Sequence, residues 1–135
     1  MKKVIKRLLT VALLILILLP VIIYISITFV NNGIAYNTLK DLKNIELPPN
    51  TKIQSSHWQA GKLVGNGNEM QYFGSIVVSS DLCEDELEEY YKSFDKYIDV
   101  EDLQNNNDYK ITLQGNRNPE NEFINFLLDF DIRGH

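Results

Sequence analysis

Residues 8–30, LLTVALLILILLPVIIYISITFV, run for 23 positions without a charge. At a helical rise of about 1.5 Å per residue such a run reaches roughly 34 Å, against a bilayer hydrocarbon core of about 30 Å. The spacing predicts a membrane-spanning helix. It divides the chain into a short basic tail, residues 1–7, and a polar remainder of about a hundred residues, which suits one small domain rather than two. A domain of that size buries only about 60–65% of the surface its unfolded chain exposes, which leaves a modest core and no cleft between two lobes.

The net charge of −5 conceals an asymmetry. Four of the 13 Lys and Arg residues, Lys2, Lys3, Lys6 and Arg7, precede the apolar run; the other nine follow it together with all 18 acids, a balance of −9. Basic residues flanking a span stay on the cytoplasmic side, and the first one after it is Lys40, so the tail is expected inside and the domain outside a cell membrane crossed once. A cleavable signal peptide is the rival reading, with small residues at Gly33-Ile34-Ala35. Signal peptides, however, have apolar cores of about 7–15 residues, so a retained signal anchor is expected. No Cys lies near the end of the run to take a lipid.

Within the span, Pro20 removes one backbone donor and is expected to kink the helix, while Thr10, Ser26 and Thr28 can bond back to their own helix. Cys83 is the only cysteine, so an exported domain must hold together by packing without an internal disulfide.

Beyond the span, Ile34, Leu39, Leu42 and Ile45 recur at near-helical spacing, which predicts a short juxtamembrane helix. Leu47-Pro48-Pro49-Asn50 ends it, and residues 31–50 are read as helix plus linker leading to a domain at 51–135. Residues 51–64 and 69–79 read as two strands joined by Gly65-Asn66-Gly67-Asn68, since Asn-Gly favours a type I′ turn. In the second strand Met70, Tyr72, Ile76 and Val78 share the expected core face with Gly74, a position suited to a bulge or to close approach by the helix that follows. Phe73 and Val77 lie on the other face.

Leu87, Tyr90, Tyr91, Phe94 and Ile98 form one stripe, which predicts a helix over 84–97. Leu82 is placed to staple onto Leu87, and Glu86 occupies the capping-box position after Cys83. Residues 99–108 read as an acidic loop with a short strand at its start. Tyr109, Ile111 and Leu113 alternate as a strand, and so do Ile124, Phe126, Leu128, Phe130 and Ile132 over 123–132. The expected fold class is α+β: an N-terminal transmembrane helix, then a ββαββ domain with an antiparallel sheet of about four strands packed on one helix.

The run Gly61-Lys62-Leu63-Val64-Gly65-Asn66-Gly67-Asn68-Glu69-Met70-Gln71-Tyr72-Phe73-Gly74, followed by Ser80-Asp81-Leu82 and Tyr90-Tyr91, resembles a family of small single-pass bacterial membrane proteins of unknown function. Their pattern is an anchor, a Pro-bearing extended segment, a GNGN hairpin, an aromatic strand and an acidic helix with paired tyrosines. The match spans about residues 46–94 and implies a shared fold but no activity. Cys83 departs from the Ser that pattern carries at the helix cap.

No catalytic, metal or nucleotide motif stands out. The GNGN segment lacks the following helix and Lys/Ser pair of a phosphate loop and is read as a turn. His57 has no second His or Cys at ligand spacing. Glu84, Asp85, Glu86, Glu88 and Glu89, with Lys92 and Lys96 later, follow the helix dipole and read as a solvated face rather than as paired catalytic carboxylates. Asp99, Glu101, Asp102 and Asp108 lack the glycine and terminal glutamate of a calcium loop. Cys83 reads as a bystander thiol. The expectation is therefore a non-catalytic extracytoplasmic domain that takes no cofactor and binds an envelope protein or peptide. Trp58, Phe73 and Val77 form its candidate surface. An acidic domain does not suit nucleic acid. The alternatives are a small envelope hydrolase using the acidic residues and an immunity or inhibitor protein.

Overall fold

A computed structural model describes residues 2–62, 69–104, 107–115, 122–131 and 133. The apolar run and the juxtamembrane stretch form a single helix, α1 (Lys2–Asn44), with Pro20 inside it. It is long and apolar enough to cross a membrane, which is compatible with a single-pass anchor. Thr10 and Ser26 donate to the carbonyls of Lys6 (3.0 Å) and Ile22 (2.8 Å), so their hydroxyls are satisfied along the helix itself. Helix α1 ends before the paired prolines, and Asn50 takes a positive φ of 56° to redirect the chain.

Four strands follow: β1 (Thr51–Gly61), β2 (Gln71–Ser80), β3 (Ile98–Asp102) and β4 (Asp108–Gln114). They form one antiparallel sheet in the order β1-β2-β4-β3, with β1 and β3 at its edges. The GNGN turn lies outside the described residues, but the antiparallel pairing of β1 with β2 is the one a hairpin demands. The α+β class and the ββαββ order hold, with a different fourth strand. The short strand expected at the start of residues 99–108 is β3, which pairs with β4.

The expected strand over 123–132 is corrected. Its first part is a helix, α3 (Glu122–Leu128), and among the described residues none of 122–133 joins the sheet. Phe123, Phe126, Leu127 and Phe130 recur at helical spacing, and in so short an apolar run both periods can be read. Both edges of β4 are already occupied, by β2 and β3, so no pairing site remains beside it.

Helix α2 (Glu84–Lys92) starts where expected, with Glu86 Oε2 accepting from the Cys83 backbone N–H at 3.0 Å. It stops a turn and a half before residue 97. There Ser93 Oγ bonds back to the Tyr90 carbonyl (2.6 Å) and Asp95 Oδ1 accepts the Tyr97 N–H (2.8 Å), side-chain competition that ends the helix and leaves Phe94 exposed.

Helices α1 and α2 pack on one face of the sheet. Leu39 and Leu42 from α1 and Leu87 and Tyr91 from α2 meet Ile76, Val78, Ile98, Val100, Tyr109, Ile111 and Leu113. The juxtamembrane stretch thus supplies core that the sequence had assigned wholly to residues 51–135. Gly74 is what lets α1 approach: a Cβ there would lie 2.8 Å from the Thr38 carbonyl carbon and nearer still to Leu39 N and Cα. Of the two expectations for Gly74, close approach holds, but by the preceding helix; the bulge falls in β1, between Ile53 and Ser55.

A buried polar clamp ties the C-terminal segment to α1. Tyr72 Oη donates to Asn31 Oδ1 (2.7 Å), and Asn31 Nδ2 donates to the Leu128 carbonyl (3.1 Å) and to Asp131 Oδ2 (3.0 Å). Arg133 grips both Asp131 oxygens, Nε to Oδ1 at 2.9 Å and Nη2 to Oδ2 at 2.6 Å, and reaches Asn32 Oδ1 at 2.6 Å. Burial pushes the Asp131 carboxyl up; the hydrogen bonds from Arg133 and Asn31 together outweigh it and hold the group below the usual carboxylate range.

Candidate functional site

With both sheet-packing helices on one side, the opposite face of the sheet carries no helix among the described residues. Cross-strand register places its side chains in rows. One row runs Gln59, Phe73, Gln114; the next runs His57, Ser75, Thr112, Asp99; a third runs Ser55, Val77, Lys110, Glu101. Every residue of this face in β2, from Gln71 through Phe73, Ser75 and Val77 to Ser79, is half-buried, whereas the alternating residues from Tyr72 to Ser80 are buried. Strand alternation sets this division, and the covering helices determine which set is hidden.

A shallow groove of about 310 Å³ crosses the open face, lined by His57, Gln59, Phe73, Ser75, Asp99, Glu101, Lys110 and Thr112. Its floor is mixed: Phe73 is apolar, Ser75 and Thr112 are neutral donors and acceptors, and the β3 edge is acidic. Lys110 Nζ stands 3.6 Å from Glu101 Oε2, with both side chains open to solvent, so the pair contributes little to stability. At one end Gln54 Nε2 donates to Asp108 Oδ1 at 2.6 Å, bridging the bulge of β1 to β4.

Phe73 and Val77 share this face, two rows apart on β2. Trp58 does not join them. It pairs with Gly74 and therefore lies on the face that α1 covers, near the open edge of β1, where it stays 36% exposed. His57, its neighbour, lies on the groove side, and the adjacent pair points to opposite faces as strand geometry requires.

The row containing His57, Ser75 and Asp99 has the residue types of a hydrolytic triad but not its arrangement. Asp99 and His57 lie on opposite edge strands, three strand spacings or roughly 14 Å apart, and a triad needs the carboxylate against the imidazole. Among the described residues no three or more of His, Cys, Asp and Glu gather where they could hold a metal ion. The acids of α2 are dispersed over its surface, where Glu88 pairs with Lys92. Glu86 is held below the usual carboxylate range by the hydrogen bond from the Cys83 backbone N–H and by the Cys83 side chain. The Cys83 thiol is free and exposed.

Most of the groove lining was not singled out from the sequence. The alternation of Lys110 and Thr112 against Ile111, and of Ser75 against Ile76, marks those side chains as outward. Nothing in the composition of residues 98–102 announced that Asp99 and Glu101 would flank them. No protein-family model, no curated protein sequence and no solved structure matches this chain.

Proposed function

We propose that this chain is a single-pass protein of the bacterial cell membrane, with its basic tail in the cytoplasm and its sheet domain outside. The domain binds an envelope protein or peptide across the open sheet face, without catalysis. The observation that carries this reading is the one-sided packing: α1 and α2 both cover the face bearing Ile76 and Val78, and the face bearing Phe73 and Val77 keeps a groove with Phe73 in a mixed floor and an acidic rim. An extended segment with small apolar and basic side chains suits those surroundings. The orientation rests on the four basic residues before the span and the acidic balance after it.

Two experiments test the reading. The exposed Cys83 is a built-in reporter of side: a membrane-impermeant maleimide should label it in intact spheroplasts, and labelling only after permeabilisation would reverse the orientation. Photo-crosslinking from Gln59 in the full chain, in native membranes, should capture a defined partner that the Phe73→Ser/Val77→Ser variant loses. Capture of the same partner by the variant would remove the open face from the argument.

A further inference from the structure

Helix α3 has one apolar side. On a helical projection Phe123, Phe126, Leu127 and Phe130 cluster, with Ile124, Leu128 and Asn125 on the other side and Glu122 and Asp129 at one flank. The side bearing Leu128 is turned to protein: Leu128 is buried, Asp129 Oδ1 accepts the Met70 N–H at 2.8 Å, and the following Asp131 is wholly buried against Asn31 and Arg133. The apolar side remains bare, with Phe123, Phe126 and Phe130 exposed by 69%, 59% and 55%. Phe126 and Phe130 stack edge to face at 5.1 Å, so the bare side is a continuous aromatic surface.

The position of α3 along α1 identifies what covers that surface. Leu127 and Phe130 line a groove of about 330 Å³ whose other wall is Pro20, Ile23, Tyr24 and Ile27 of α1. If the span ends near residue 30, Ile27 lies about 4.5 Å and Pro20 about 15 Å inside that boundary. A segment packed between those two levels is at hydrocarbon depth. Its phenyl rings are thus continuous with the lipid-facing surface of Ile22, Ile23 and Ile25. A charge beside the bilayer is costly unless it is paired within the protein, and the clamp meets that condition for Asp131, which is fully buried and bidentate with Arg133.

We infer that α3 is a second membrane-contacting element, a short, largely apolar helix that lies against the outer end of the span with its phenylalanines in the acyl chains of the distal leaflet. The inference rests on the reading of residues 8–30 as a membrane span. Seven residues do not hold a helix alone; docking on α1 and the hydrogen bonds of Asn31 and Asp129 hold this one. The lipid contact then gives the domain a fixed tilt as well as a tether.

Depth-dependent quenching tests it. The full chain, in a Trp58→Phe background, is reconstituted into phosphatidylcholine vesicles carrying brominated acyl chains, with one tryptophan introduced by Phe126→Trp, by Phe123→Trp or, as the span control, by Ile23→Trp. The inference expects the α3 tryptophans to lose most of their emission to brominated lipid, as the Ile23→Trp control does, while Trp58 of the unmodified chain is not quenched. Quenching at Ile23→Trp with none at either α3 position overturns the inference and leaves the span intact. A second copy covering α3 would produce that result. No quenching at Ile23→Trp overturns the span and the inference together.

Discussion

The two ends of α1 are made of similar residues and are held by different surroundings. From residue 4 to residue 25 its Leu, Ile and Val side chains touch little of the rest of the protein; from Asn31 to Leu42 one side of the same helix is buried in the domain. The first part has the period of a membrane segment, apolar on every side, and the second has the period of a globular helix, with Leu39 and Leu42 inward and Lys40 and Asp41 outward. A helix that passes from a bare apolar stretch into the protein core without a break makes the two one rigid body at their junction. The prolines at 48 and 49 mark the end of the first core element rather than the start of the domain.

Paired truncations break that comparison most directly. Leu42→Ala should cost the domain about 2–5 kcal/mol, because the side chain is fully enclosed. Leu16→Ala, on the exposed part of the same helix, should change domain stability by less than about 0.5 kcal/mol. Urea unfolding of the full chain in detergent, followed by Trp58 emission, reads both. Equal effects would mean that the two ends are not separate environments.

Gly74→Ala should come next, at about 1–3 kcal/mol and toward the upper end, because the added methyl meets the backbone of Leu39 rather than a movable side chain. The same unfolding curves measure it. An unchanged midpoint would show that α1 stands farther from the sheet than described.

Asp131→Asn addresses the clamp that joins the two environments. A carboxyl held below its usual range stabilises the fold at pH values above its unfolded pKa, and that contribution is lost as pH falls through the folded value. The unmodified chain should therefore lose stability progressively below about pH 4, while the variant is weaker by about 1–2 kcal/mol at neutral pH and lacks that component of the acid slope. Unfolding midpoints across the acid range decide it. A small gain is expected at the passage between environments: Gly33 is helical and has no neighbour within 4 Å, so Gly33→Ala should add about 0.5–1 kcal/mol, read as a raised urea midpoint.

Much of the fold was legible where one period dominated. The core face of β2 announced itself through Met70, Tyr72, Ile76 and Val78, with Gly74 among them as the point of close approach, and Leu87 with Tyr91 fixed the inner side of α2. Legibility failed where two periods fitted the same residues, as at Phe123 to Phe130, and where the deciding partner was distant in sequence. The face taken by Trp58 depends on the register of β1 and its bulge, which side-chain alternation within a weakly patterned strand does not reveal. The open face followed from Phe73 and Val77, but its acidic rim depended on β3 occupying the edge, a matter of tertiary pairing.

The Asn31 amide meets Asp131 across 100 residues of chain. The loop that this contact closes encloses all four strands and α2, so the seal between α1 and the C-terminal segment can form only once the sheet is in place. Until then the Asn31 Nδ2 lacks both of its acceptors, the Leu128 carbonyl and Asp131, while its Oδ1 can already accept from Tyr72. A chain cut short of residue 128 would keep the four strands and lose that seal, leaving the side of α1 around Ile27 and Asn31 open to attack.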